Sequence, residues 1–153
     1  MPSQKPTEPI LYQERVRPNI GTFVAVLTLL PAVTLVSEPF DFRVGVFIGS
    51  LLVLAIWAAL FFLAPVIKVS KTTFTVGQAS IPRALLGKID EIEKDQIFQE
   101  RGPKLDPAAY KVFQGTVKTA LKIAIKDSSD PAPYWIISTR KPAQLATVLK
   151  ATV

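Results

Sequence analysis

Between Val44 and Ile67 the chain reads VGVFIGSLLVLAIWAALFFLAPVI, 24 residues without a charge. Upstream, Pro18 to Ser37 reads PNIGTFVAVLTLLPAVTLVS, 20 more uncharged residues. At about 1.5 Å of rise per residue, helices of these lengths measure roughly 36 Å and 30 Å, which matches a hydrocarbon core of about 30 Å. The two runs therefore predict a transmembrane hairpin over residues 18–37 and 44–67, joined by the short stretch Ser37 to Arg43. A cleaved signal segment is the rival reading of the first run. It is set aside because the second run follows so closely and no A-x-A site precedes it.

The whole chain has 153 residues, 49% of them apolar, with 9 Phe and 2 Trp, a balance foreign to disordered, collagenous or disulfide-scaffold chains. It has no Cys and no His. Within the chain itself this excludes disulfides, a thiolate nucleophile, an imidazole base and any Cys or His metal site. The expectation is a protein without cofactor or metal that is not an enzyme.

Charge sets the expected orientation. Lys5, Arg15 and Arg17 precede the first run, Lys68 and Lys71 follow the second, and the loop between holds Glu38, Asp41 and only Arg43. Because Lys and Arg bias flanking segments toward the cytoplasm, both termini are expected inside a plasma membrane and the loop outside. Residues 1–17 are then a cytoplasmic tail and 68–153 a cytoplasmic domain. That last segment carries 14 Lys plus Arg against 8 Asp plus Glu, so its surplus of six equals that of the whole chain.

Two helices in lipid associate through close packing, since lipid supplies no hydrophobic push between them. Small residues suggest the contact: Gly21, Ala25, Thr28 and Ala32 on the first helix, Gly45 and Gly49 on the second, with Ala55, Ala58 and Ala59 further in. An antiparallel pairing sets Ala32 and Thr28 level with Gly45 and Gly49. Pro31 cannot donate to the Leu27 carbonyl and should kink the first helix. Trp57 falls at mid-depth, where packing against a neighbouring segment is the expected role.

Beyond the hairpin, Thr72–Val76 and Ala79–Pro82 read as strands flanking a Gly77-Gln78 turn. The span 89–98 is ambiguous. Asp106 and Pro107 are set to start a short helix through Tyr110. From Val117 to Ile125 the odd positions are mostly apolar, which is strand periodicity, with Lys118, Lys122 and Lys126 on the even ones. Asp127 to Pro133 forms a turn, Tyr134 to Thr139 a strand, and Pro142 opens a helix whose Leu145, Val148 and Leu149 face a core.

Three groups are candidate sites. Asp127 and Asp130 have the spacing of cation ligands, but too few carboxylates accompany them and turn formation explains them. Ser138-Thr139-Arg140-Lys141-Pro142 places two hydroxyls and two cations at a helix start, a setting that favours an anion. Lys118, Lys122 and Lys126 could meet anionic headgroups. Nucleic acid is not expected as a partner, because no binding motif accompanies the charge.

Tyr12-Gln13-Glu14-Arg15, the two apolar runs, Phe74 to Ala79 with Ile81-Pro82, and above all residues 127–142 (DSSDPAPYWIISTRKP) followed by Leu145 form a recognisable set. From about Tyr12 to Leu149 the chain resembles the actinobacterial membrane-protein family called domain of unknown function 3093. The resemblance implies a topology and no activity. The order of two helices, several strands and a closing helix is also similar to bacterial membrane-anchored pleckstrin-homology-like domains, in architecture only. The resulting expectation is an α+β membrane protein: a two-helix hairpin followed by a small β-rich, pleckstrin-homology-like domain with a C-terminal helix. Its expected role is a non-enzymatic interaction module at the inner leaflet, binding a protein partner or anionic lipid. The alternative is an accessory subunit of a larger membrane enzyme or transporter.

Overall fold

The computed structural model describes residues 8–151, which divide into a helical unit, 17–64, and a β-rich unit built from the residues before and after it. The helical unit holds α1 (Ile20–Leu27), α2 (Leu29–Ser37) and α3 (Phe42–Phe62). The Asn19 side chain caps α1 by accepting from the Thr22 N–H at 3.1 Å, and Asp41 caps α3 by accepting from the Arg43 N–H at 2.7 Å. The α1–α2 break falls at Thr28, three residues before Pro31, where the ring lacks an N–H for the Leu27 carbonyl. Thr28 reaches back instead, donating its N–H and its hydroxyl to the Ala25 carbonyl at 3.1 and 2.7 Å.

Gly45 and Gly49 allow α3 to approach α2, but against other residues than those expected. A Cβ built on Gly45 would lie 2.8 Å from the Ser37 Cβ and 3.1 Å from the Thr34 Cα, and one on Gly49 would lie 3.0 Å from a Leu30 methyl. Gly21, Ala25, Thr28 and Ala32 are exposed. The reason is geometric. The two glycines open a groove that the larger Leu30, Thr34 and Ser37 fill, so a second stripe of small residues is not needed opposite them. Trp57 packs as expected against a neighbouring segment. Its indole N–H donates to the Phe23 carbonyl at 3.1 Å, and its ring meets Phe23 edge-on at 6.4 Å. The Arg17 guanidinium lies 3.9 Å from the centre of the Phe61 ring, joining the start of the first helix to the end of the last.

The β-rich unit begins earlier in the chain than expected. Residues placed in a tail form β1 (Tyr12–Arg15), antiparallel to β2 (Val66–Val69) with Tyr12 opposite Val69 and Arg15 opposite Val66. The second apolar run also ends sooner as a helix. Pro65 stops it, and Val66 and Ile67 belong to β2, where Ile67 is fully buried. β3 (Thr73–Val76) and β4 (Ala79–Pro82) complete a four-stranded antiparallel sheet, and Gly77 takes φ +62° in the turn between them, as its position implied.

The second sheet has the order β5 (Leu86–Ile92), β7 (Ala120–Ile125), β8 (Tyr134–Ser138), β6 (Tyr110–Val112), with β6 parallel to β8. The short helix expected after Asp106 does not form. The Asp106 carboxylate accepts from the Ala108 N–H at 2.8 Å, and Tyr110 is drawn into β6, because one helical turn cannot outweigh a ladder with β8. The alternation from Val117 becomes a strand only at Ala120. α4 (Ile97–Arg101) lies in the span left ambiguous, and α5 (Pro142–Lys150) closes the chain.

Both sheets and α5 share one core: Tyr12, Ile67, Phe74 and Val76 from the first sheet, Leu121, Ile123, Trp135 and Ile137 from the second, and Leu145 and Leu149 from α5. Trp135 lies 5.9 Å from Phe74 and 4.6 Å from Tyr110, ring centre to ring centre. The opposite face of the second sheet is also covered. Ile92, Ala120 and Ile136 are buried there against Ile97, Leu105 and Tyr134. This explains why β8 is continuously apolar rather than alternating.

The helix contact yields a discriminating pair of substitutions. Gly49→Leu should destabilise the helical unit by about 1–3 kcal/mol through overpacking against Leu30, whereas Ala32→Leu, on an exposed face, should change stability by less than about 0.5 kcal/mol. Thermal melting of the two variants in detergent checks the difference.

Candidate functional site: the charged loops and the start of the last helix

At the expected anion site before α5, one backbone donor and one hydroxyl are engaged by a carboxylate of the chain itself. β1 presents Glu14 between the outward Gln13 and Arg15. One Glu14 oxygen accepts from the Thr139 hydroxyl at 2.5 Å and the Tyr12 hydroxyl at 2.8 Å, and the other accepts from the Arg140 N–H at 2.9 Å. Thr139 in turn accepts from the Lys141 N–H at 3.1 Å. The geometry expected for a bound anion is present, and an internal acid serves it. Arg140 and Lys141 are both exposed beside it. Burial, reinforced by the hydrogen bond to Glu14, pushes the Tyr12 phenol well above its ordinary range.

The three lysines have different surroundings. Lys122 is half-buried, donates to Glu100 at 2.8 Å, and lies 4.4 Å from the centre of the Tyr134 ring. That hydrogen bond raises its pKa. Lys118 lies before the start of β7 and Lys126 just after its end, and both are exposed. They do not form one solvated strand face, because α4 and the residues after it cover that face around Lys122. Asp127 acts as a turn former: its carboxylate accepts from the Ser129 N–H at 2.9 Å and the Ser129 hydroxyl at 2.6 Å. Those bonds hold its pKa below the ordinary value. Asp130 likewise accepts from the Ala132 N–H at 2.9 Å. No group of three or more acidic side chains suited to a metal ion occurs among the described residues.

Two arginines, Arg83 buried and Arg101 half-buried, were not singled out from the sequence. Arg83, in a 3-10 turn (Arg83–Leu85) after β4, donates to the carbonyls of Val148 and Leu149 at 2.7 and 2.9 Å and to the Ser70 carbonyl at 3.0 Å. It thus caps the carboxyl end of α5. Arg101 donates to the Val117 carbonyl and the Ser138 hydroxyl, each at 2.7 Å, and stacks 5.0 Å from the Phe113 ring centre. Burial lowers the pKa of both guanidiniums, and neither Nε has an acceptor. Partners 13 to 66 residues away leave no local signal for either role.

An antiparallel and a mixed sheet closed by a C-terminal helix, with the apolar helices α1 to α3 inserted between the first and second strands, define the class as α+β. The chain belongs to the family described as Protein of unknown function (DUF3093), whose profile matches residues 11–149. The match starts at the approach to β1 and ends inside α5. No curated protein and no solved structure matches the chain.

Replacing Glu14 with Ala leaves the Arg140 N–H and the Thr139 hydroxyl without their charged acceptor. A loss of about 2 kcal/mol of stability is expected, read by chemical denaturation of the full chain. The raised Tyr12 pKa gives a second outcome. A phenol whose folded pKa exceeds its unfolded value, about 10, keeps its proton better in the folded state, so its contribution is complete below that pH and is lost as pH rises further. Stability should therefore fall above about pH 10, less steeply in Tyr12→Phe.

Proposed function

We propose that this chain is a two-span membrane anchor with both termini in the cytoplasm, carrying a pleckstrin-homology-like module that contacts anionic lipid or a protein partner and performs no catalysis. The observation that carries the reading is the exposure of the helical unit. Ile20–Ser37 and Phe42–Phe62 span 18 and 21 residues, yet only 6% and 17% of their apolar windows are buried. A core helix of a water-soluble protein would be covered by its neighbours. Faces bearing Ile20, Leu35, Val36, Phe47 and Leu54, each more than half exposed, call for an apolar solvent.

The positive surplus supports the orientation, since Arg15, Arg17 and Lys68 flank the helices while Glu38 and Asp41 lie in the connection. It also supports a contact with the anionic leaflet, where each nearby Lys or Arg contributes on the order of 1 kcal/mol. Lys118 and Lys141 are exposed cations on the β-rich unit suited to the contact, whereas Lys122 is half-buried and paired with Glu100.

A reporter that is active only in the cytoplasm should work at either terminus and fail between Glu38 and Asp41; activity in that loop overturns the orientation. The lipid contact is checked by amine labelling of the full chain in nanodiscs. Lys118 and Lys141 should react more slowly in phosphatidylglycerol than in phosphatidylcholine, and the difference should vanish at high salt. Equal labelling removes the lipid reading and leaves a protein partner as the use of this surface.

A further inference from the structure

Two adjoining cavities open around Arg83, of about 440 and 400 Å³. Arg83, Leu86 and Lys126 line both. Lys71 and Thr72 complete the first, and Lys88 and Lys150 belong to the second. Five cations thus line the two cavities, and no acidic side chain does so among the described residues. Two acids that touch residues at the rim are engaged. Glu8 accepts from the Thr72 and Ser70 hydroxyls, each at 2.7 Å, and Asp90 pairs with Lys88 at 2.8 Å.

Arg83 makes this more than a solvated patch. It is only 6% exposed, and its three hydrogen bonds go to backbone carbonyls. No carboxylate lies within ion-pair distance among the described residues, and its Nε has no acceptor. A buried lysine could shed its proton, but a guanidinium cannot, so the charge persists in the wall of the groove. Its charge is met by the carbonyl dipoles at the end of α5 and not by a carboxylate, so no full negative charge cancels it and net positive potential remains in the groove. Lys71 and Lys126 are exposed and supply flexible ammonium contacts at the mouth, while Arg83 supplies fixed positive potential behind them.

We infer that the groove bounded by Lys71, Arg83, Lys126 and Lys150 binds a multiply charged phosphate group. A phosphorylated lipid headgroup and a soluble phosphate compound present the same chemistry. The groove is separate from Lys118 and Lys141, so this inference goes beyond the proposed leaflet contact and stands whether or not that contact exists.

The test uses the full chain in phosphatidylcholine nanodiscs, titrated with inorganic pyrophosphate by calorimetry. In parallel, fluorescence polarisation follows a soluble fluorescent phosphoinositide headgroup, and nanodiscs doped with phosphatidylinositol 4-phosphate are compared for protection of Lys126 from amine labelling. Binding of either soluble probe identifies a site open to soluble phosphates, and protection only in the doped nanodiscs identifies a headgroup site. In each case the paired substitution Lys71→Glu with Lys126→Glu should weaken binding by at least tenfold, whereas Lys118→Glu with Lys141→Glu should leave it within twofold. Neither pair removes a contact that holds the core. Failure of all three probes, or equal binding by the Lys71/Lys126 variant, overturns the inference. Unequal labelling of Lys118 and Lys141 between phosphatidylglycerol and phosphatidylcholine bears on the leaflet contact alone, so the two failures can be told apart.

Discussion

The β-rich unit depends on one ladder, the pairing of Tyr12–Arg15 with Val66–Val69. These two strands flank the helical unit in sequence, and their hydrogen bonds bring together chain segments that would otherwise be independent. The ladder continues past β1, since the Val16 N–H donates to the Pro65 carbonyl at 2.9 Å. Tyr12 and Val16 are buried on one side of it, and Glu14 between them reaches the start of α5. Without β1, β2 would be a sheet edge with unpaired backbone groups, and the core would lose Tyr12 and Val16 together.

How much of this could be read from the sequence depended on whether the determining partner was local. Apolar runs announce themselves through their own composition, so the helices were legible, and the break near Pro31 followed from a missing N–H. The Gly77 turn and the amphipathic face of α5 were legible for the same reason. β1 was not, because four residues that include Glu14 and Arg15 carry too little alternation to outweigh a reading as tail. The helix contact was half legible. Two glycines spaced by four residues mark a groove, but nothing local says whether small or large residues fill it.

The charged residues show the same division. Lys118, Lys122 and Lys126 look equivalent as a repeat, yet Glu100 singles out Lys122 from 22 positions away. Ser138 to Pro142 has the chemistry of an anion site, and the sequence cannot say that the chain brings its own anion. Arg83 follows a proline at the end of a strand and looks unremarkable there. Its significance comes from carbonyls 65 and 66 residues later, which exist only once α5 has docked.

The Glu14 contact has a consequence for the order of assembly. Thr139 lies 125 residues beyond Glu14, so the bond cannot form until Thr139 itself has left the ribosome. The entropic cost of closing so long a loop grows only logarithmically with length, but a contact that distant comes late unless other pairings have already brought its ends together. The β1–β2 ladder performs that shortening. Once both apolar helices have been made and β2 follows them, Glu14 is held in the sheet and waits for α5. β1 is thus tied to a residue made 125 positions later, and that tie closes the β-rich unit.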